Sequence, residues 1–146
     1  MNIGEVCSRE VYIVRESEAL SEAVLEMRRR HVGAIVVVEP QGQLMKPVGI
    51  VTDRDVIFAV RSQAIDLSTK VSHVMTTCPF TLCEDSGLYE AIQSMSAHGV
   101  RRAPVVSAAG DLVGIVSVDD LVPVVADELR GLANLMGGQA RHEPNA

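Results

Sequence analysis

The sequence predicts a mixed α/β (α+β) fold built of two pseudo-symmetric β-α-β-β-α repeats, and three observations carry that prediction. Val6 to Val38 laid on Val74 to Val106 match without a gap at a constant shift of 68 (74 minus 6), with nine of the 33 pairs identical. Each copy sets helix-spaced apolar positions between short β-branched runs. Each copy also closes on the same polar signature, Gly49-Ile50-Val51-Thr52-Asp53-Arg54-Asp55 and Gly114-Ile115-Val116-Ser117-Val118-Asp119-Asp120. A unit of about 60 residues is marginal alone, so the twins are expected to share one body. The expected boundaries are 6–62 for the first repeat, 63–73 for a linker with a short turn, 74–135 for the second repeat and 136–146 for a flexible tail.

In copy one, Val11 to Val14 is a weak first strand. Ala19, Leu20, Ala23, Val24, Met27 and His31 then recur at helical spacing, with Ser17 expected as N-cap, Glu18 as an acid in the first turn and Gly33 as the stop. Ile35 to Val38 and Val48 to Val51 are short apolar strands around the loop Pro40 to Gln43. A second helix starts at Thr52 or Asp53 and runs to about Ser62. Copy two repeats the order: Phe80 to Leu82, a helix over 86–98 with Asp85 as N-cap and Gly99 as stop, then Pro104 to Val106, Leu112 to Val116, and a helix opening at Ser117 or Asp119. From Gly49 on Gly114 onward the shift is 65, so copy one carries three extra residues between its two apolar runs, which suit a surface loop. Pro123 should distort the first turns of the last helix. That helix carries the stripe Leu121, Val125, Leu129, Leu132 and Met136, a core or dimer contact, and the residues from Gly137 onward are expected to fray.

Composition excludes several function classes. Apolar residues are 47% and charged residues 22%, which is globular rather than disordered. The net charge of −6 and a longest basic block of only Arg28-Arg29-Arg30 lack the footprint of a DNA- or RNA-binding surface. The chain has no apolar stretch of signal-peptide or membrane-span type, which predicts a cytoplasmic protein without membrane contact. Cys7, Cys78 and Cys83 form no even disulfide set, and with His73 they make only a scattered ligand set, so no metal site is assigned. There is no phosphate-binding G-x-x-x-x-G-K-[ST] loop, H-E-x-x-H or G-x-S-x-G motif, and no nucleophile paired with a base, so no catalytic residue and no enzyme activity is expected.

The repeated signature has two readings. Thr52 or Ser117 stands where a strand hands over to a helix, whose unpaired N–H groups and partial positive charge suit a phosphate. Asp55 or Asp120 lies one turn on, where its carboxylate can accept from a pair of ribose hydroxyls. The same spacing is also close to a capping box, which needs no ligand.

With both copies in the same context, the chain resembles a tandem pair of cystathionine-β-synthase (CBS) domains, a Bateman module, over about residues 6 to 135. The resemblance implies repeats packed through their sheets around a pseudo-twofold axis, two clefts for adenosine-type nucleotides, and pairing of modules into homodimers. It implies ribose contacts at Asp55 and Asp120 and phosphate contacts at Thr52 and Ser117. The family's basic pair before the central strand is matched by Arg101-Arg102-Ala103-Pro104-Val105, so Arg101 and Arg102 are expected to serve the Asp55 cleft, with Pro104 among the contacts. Copy one departs from that pattern with Gly33-Ala34, leaving the Asp120 cleft only Arg54, if Arg54 faces it. Adenine walls are expected from Val11–Val14, Ile35–Val37, Phe80–Leu82 and Ala103–Val105. The resulting expectation is a sensor with no obligatory cofactor, in which AMP, ADP or ATP acts as regulatory ligand and signals to an unknown protein effector. The alternatives are a ligand-free interaction scaffold and a redox- or metal-responsive protein using the cysteines and a histidine.

Overall fold

The computed structural model describes residues 1–62, 66–77 and 80–142. The elements run α1 (Ile3–Val6), β1 (Ile13–Arg15), α2 (Leu20–Arg30), β2 (Ala34–Gln41), β3 (Leu44–Thr52), α3 (Asp53–Arg61), a 3-10 turn (Val71–His73), β4 (Thr76–Thr77), β5 (Leu82–Cys83), α4 (Leu88–His98), β6 (Arg102–Val106), β7 (Leu112–Ser117) and α5 (Val118–His142). One sheet is ordered β1-β2-β3-β4 and the other β5-β6-β7. In each, a parallel first pair is followed by an antiparallel hairpin with a register shift at the same place, Val37/Val38 and Val105/Val106.

The repeats exchange their opening segments. β4 lies at the opening of copy two in the chain but pairs with β3 of copy one, Thr76 opposite Ile50 and Thr77 opposite Gly49. Ser8, 68 positions earlier, pairs in the same way with Ile115 of β7. The Val71 and Ser72 N–H groups donate to the Glu18 and Glu16 carbonyls, while Ile3 and Gly4 donate to Ser86 and Glu84. Val71 accordingly lies in the core of copy one with Val14, Ala23, Met27, Ile35, Val37 and Val51. Ile3 and Cys7 lie in the core of copy two with Leu82, Ala91, Met95, Ala103, Val105 and Val116. Val71 and Ile3 are both fully buried. The segment expected as a linker thus supplies the core residue Val71, and the opening of the expected second repeat supplies a strand to the first.

The exchange explains the signature glycines. Gly49 lies inside β3 and Gly114 inside β7. A Cβ on Gly49 would sit 2.5 Å from Met75 Sδ and 2.9 Å from the Thr76 oxygen; one on Gly114 would sit 2.7 Å from the Ser8 oxygen and 2.8 Å from Cys7 Sγ. Glycine is required there because the other copy's opening segment crosses at backbone contact distance.

The exchange also corrects the helix starts. α2 begins at Leu20 with Ala19 as N-cap, and α4 at Leu88 with Gly87 as N-cap, neither with a side-chain cap. Ser17 and Asp85 are not the caps, because the first helical N–H groups are already satisfied by the exchanged segments: Leu20 and Ser21 donate to the Thr69 and Leu67 carbonyls, and Leu88 to that of Met1. α2 stops at His31, in the left-handed conformation at φ 55°, two residues before the expected Gly33. Its counterpart Gly99 adopts φ 64° and stops α4 as expected.

The three extra residues of copy one do not enlarge a loop. They lengthen both hairpin strands, so Pro40 pairs with Met45 and Gln41 with Leu44 around a tight turn with Gly42 at φ 61°. The overhang is held by the Met45 N–H donating to Asp111 Oδ1 of copy two's turn at 2.8 Å. α5 contains Pro123 and continues through Gly137 and Gly138 to His142, past the point where fraying was expected. Its outer residues Val122, Leu129, Leu132, Leu135 and Met136 are exposed. Among the described residues, no helix is long and apolar enough to cross a membrane.

Candidate functional site

At the junction of β3 and α3 the capping box is real. Thr52 Oγ1 accepts from the Asp55 N–H at 3.2 Å, and Asp55 Oδ2 accepts from the Thr52 N–H at 2.9 Å. The next donors are also committed: the Asp53 N–H donates to the Gly33 carbonyl at 3.0 Å, and the Arg54 N–H to Asp53 Oδ1 at 2.8 Å. The expectation of unpaired backbone donors at this helix start is therefore corrected, since all three leading N–H groups of α3 have acceptors. What remains for an anion is the helix field, the Thr52 hydroxyl and whatever cations stand nearby.

Those cations are present. A cleft of about 520 Å³ opens in front of Thr52, lined by Ile50, Thr52, Asp53, Arg54, Thr76, Thr77, Phe80, Val100, Arg101 and Arg102. Arg101 and Arg102 thus share a cleft with Thr52, and Arg54 stands on that same lining rather than on the Asp120 side. Arg54 and Arg101 are exposed and Arg102 half-buried. None of the three guanidinium groups has an ion-pair partner among the described residues, in contrast to Arg9, Arg29, Arg30 and Arg130. The half-buried Asp55 lies behind Thr52 rather than on the lining itself. Only its Oδ2 is engaged by the cap, which leaves Oδ1 as an acceptor.

The apolar walls differ from expectation. Ile35, Val36, Val37, Ala103 and Val105 are fully buried core residues, and Pro104 is below 2% exposed, so none offers surface to a ligand. The apolar lining of the cleft is Ile50, Val100 and Phe80, of which Phe80 was among the expected walls; its ring stacks on His98 with centroids 4.3 Å apart. His98 Nδ1 in turn lies 2.8 Å from the Ser94 carbonyl, the helix-end role expected of it. Thr76 and Thr77 were missed because nothing local marks the opening of a repeat as an edge strand of the other repeat. The constant shift of 68 lays them on Ser8 and Arg9 at the opening of copy one, the signal that the two openings play equivalent parts.

The pseudo-symmetric position at the start of α5 has the same cap and different surroundings. Asp120 Oδ2 accepts from the Ser117 N–H at 2.9 Å and from its hydroxyl at 3.0 Å, and Ser117 Oγ accepts from the Asp120 N–H at 3.3 Å. The Val118 N–H donates to the Arg101 carbonyl at 2.8 Å, as Asp53 does to Gly33. Asp119 stands for Arg54, and Gly33 and Ala34 stand for Arg101 and Arg102. Arg9, which corresponds to Thr77, is bound to Glu84 at 3.0 Å and to the Gly4 carbonyl at 3.0 Å. Burial pushes the neighbouring Cys7 thiol up from its ordinary pKa; Arg9 opposes the shift, and Glu84 and Asp120 add to it. Among the described residues no three His, Cys, Asp or Glu side chains could hold a metal ion; Cys78 lies outside the described residues.

A family model described as the CBS domain matches residues 3–62 and 71–128. The chain belongs to the CBS-domain family. The CBS domain-containing protein YhcV of Bacillus subtilis is 36% identical over 133 residues, covering 90% of this chain and 91% of that protein. Among solved structures, the CBS domain protein PAE2072 from Pyrobaculum aerophilum, complexed with AMP, superposes with a TM-score of 0.71 at 27% identity, covering 84% of this chain and 91% of that one. The cytosolic domain of the Mg2+ channel MgtE, in complex with ATP, gives a TM-score of 0.70 at 28% identity, covering 84% of this chain and 48% of that one. Both CBS matches here begin within the exchanged segments, at residues 3 and 71, so those segments are part of the repeat as the family defines it.

Proposed function

We propose that this CBS pair binds an adenosine nucleotide, AMP, ADP or ATP, in the Thr52 cleft and transmits its occupancy to a partner protein as a regulatory signal. The observation that carries the reading is one cleft lined by Arg54, Arg101 and Arg102, none ion-paired among the described residues, together with the Thr52 hydroxyl at a helix start and, next to that lining, the Asp55 carboxylate bonded to the Thr52 N–H. Guanidinium pairs bind phosphoryl oxygens through parallel hydrogen bonds, and a carboxylate with one free oxygen suits a ribose hydroxyl. The AMP and ATP complexes of PAE2072 and MgtE support the same class of ligand. Regulation follows only if the nucleotide prefers one arrangement of the two repeats, and the cleft is lined from both: Ile50 to Arg54 come from copy one, Phe80 to Arg102 from copy two.

Thermal unfolding with AMP, ADP, ATP and S-adenosylmethionine tests this. A nucleotide at about 100 times its dissociation constant adds about 2.7 kcal/mol, a rise of roughly 5–10 °C for a chain of this size. Asp55→Asn is the appropriate probe of the carboxylate, because its amide oxygen can still take the Thr52 N–H and preserve the cap, whereas alanine would remove about 1 kcal/mol of helix stability as well. If no adenosine nucleotide raises the melting temperature, the ligand-free scaffold replaces this reading.

A further inference from the structure

α5 outgrows the body it packs on. Its first turns are anchored, with Leu121 buried in the core of copy two and Val118, Val124 and Val125 packed against that core. From Ala126 to Gly137 every residue is exposed, a spur of about 18 Å at 1.5 Å per residue. A Cβ on Gly131 or Gly137 would meet nothing within 4 Å. Along the helix Val122, Val125, Leu129, Leu132 and Met136 recur at spacings of 3, 4, 3 and 4, the a and d positions of a heptad. Val122, Leu129, Leu132 and Met136 are 59% to 72% exposed, so the seam runs on where the chain's own body no longer covers it. Its first half lines a groove of about 470 Å³, where Val122, Val125 and Leu129 share the lining with Ile92 and Met95 of α4 and only the Ser96 side chain is polar. Each chain thus carries an apolar groove and, on the same helix, an apolar spur that extends past it.

The charges of the helix specify what fits them. Residues 118–128 carry Asp119, Asp120, Asp127 and Glu128 and no base, while residues 129–142 carry Arg130 and Arg141 and no acid. Two such helices laid antiparallel set each acidic half beside the other's basic half and oppose their dipoles; laid parallel, they set acid on acid. Antiparallel pairing centred between Leu129 and Leu132 also brings Met136 of each helix opposite Val125 of the other, so each spur closes the other chain's groove. Such a contact is self-complementary and ends at two copies.

We propose that the exposed half of α5 is an interaction surface whose partner is α5 of a second copy of this chain, paired antiparallel through the heptad seam. The assignment stands independently of the nucleotide reading. Sedimentation equilibrium of the full chain tests it, with Leu132→Glu plus Met136→Glu to break the seam and Phe58→Glu, an exposed apolar position on α3, as the control. At about 50 µM the wild type and Phe58→Glu are expected to be dimers, with unfolding midpoints that rise with concentration. The double variant is expected to halve in mass and lose the concentration dependence while keeping its far-ultraviolet circular dichroism, because both substituted side chains are exposed in the single chain. Orientation is read by mixing chains carrying Val125→Cys with chains carrying Met136→Cys under oxidised glutathione and mapping the linked peptides: a disulfide joining positions 125 and 136 of different chains is expected in the mixture, and no linkage through either position when one variant is alone. A monomeric wild type, a dimer that survives Leu132→Glu plus Met136→Glu, or a dimer that Phe58→Glu dissociates as fully overturns α5 as the contact. Self-linkage of Met136→Cys alone overturns the antiparallel arrangement.

Discussion

Two helix starts in this chain carry the same cap and different chemistry. At Thr52–Asp55 and Ser117–Asp120 the hydroxyl and carboxylate make the same reciprocal bonds to backbone N–H groups within a few tenths of an ångström. Around the first stand Arg54, Arg101 and Arg102; at the equivalent positions around the second stand Asp119, Gly33 and Ala34. The shared hydroxyl and carboxylate of the duplicated motif are thus a cap that opens the last helix of each repeat, and the charge around them differs through one position inside the motif, Arg54 against Asp119, and two outside it, Arg101-Arg102 against Gly33-Ala34. The Ser117 hydroxyl is also more committed than that of Thr52, since it donates to Asp120 Oδ2 as well as accepting.

The largest expected effect comes from moving the clamp. Arg101→Ala with Arg102→Ala removes two charge-assisted contacts, each worth about 1.5–3 kcal/mol, and should weaken nucleotide binding by roughly a hundredfold or more. The reverse experiment, Gly33→Arg with Ala34→Arg, should raise calorimetric stoichiometry from one nucleotide per chain to two. A Cβ at Gly33 would stand 3.3 Å from Asp53 Oδ2, so the graft requires the exposed Asp53 side chain to shift by a few tenths of an ångström. If the wild type already binds two nucleotides with equal affinity, the contrast between the clefts is broken.

Next come the signature glycines, which compare the two crossings. Gly114→Ala is expected to cost about 2–3 kcal/mol and Gly49→Ala about 1–2 kcal/mol in urea unfolding. The nearest obstacle is the rigid Ser8 carbonyl at 2.7 Å in the first case and the flexible Met75 thioether at 2.5 Å in the second, where the rigid Thr76 carbonyl stands farther off at 2.9 Å. Equal costs would show that the two crossings are equally compliant.

A smaller effect compares the helix stops. His31 holds a left-handed conformation that Gly99 adopts without strain. His31→Gly should raise stability by about 0.5–1 kcal/mol and Gly99→Ala should lower it by about 1 kcal/mol, both read as shifts in the denaturation midpoint.

The smallest concerns Cys7, whose counterpart Met75 carries no proton. Burial raises the folded thiol pKa above its ordinary value of 9.0, so the folded state keeps its proton to higher pH than the unfolded chain does. The contribution is complete below about pH 9 and is lost as pH rises through the folded pKa. Unfolding midpoints between pH 7 and 10.5 should fall faster for the wild type than for Cys7→Ala, and native Cys7 should alkylate more slowly than the unfolded thiol.

Much of this was legible in the sequence because it is written locally. The order of the repeat elements, the cap at Thr52 and Gly99 as a stop follow from residue type and a constant shift, while the assignment of Arg101-Arg102 to the Thr52 cleft came from the family resemblance. What was not legible is nonlocal. Ser17 and Asp85 are good caps by residue type, but carbonyls of Thr69 and Met1 reached those helices first. Thr76 and Thr77 entered the cleft through pairing with a strand about 27 residues upstream (76 minus 50 gives 26, 77 minus 49 gives 28). Arg54 could be assigned a charge from sequence but not a side of the molecule.

The exchanged openings also bear on how such a molecule could have arisen. A chain with one repeat would contain a core lacking its Ile3 or Val71 plug and a plug with no core to enter. It could complete itself only by trading segments with a second identical chain, at the mercy of concentration. Joining two copies end to end puts each plug within reach of its socket at the effective concentration of a short tether, in the millimolar range. Fusion by itself therefore stabilises the pair, and it frees the two copies to diverge, since each now meets the same single partner in every molecule.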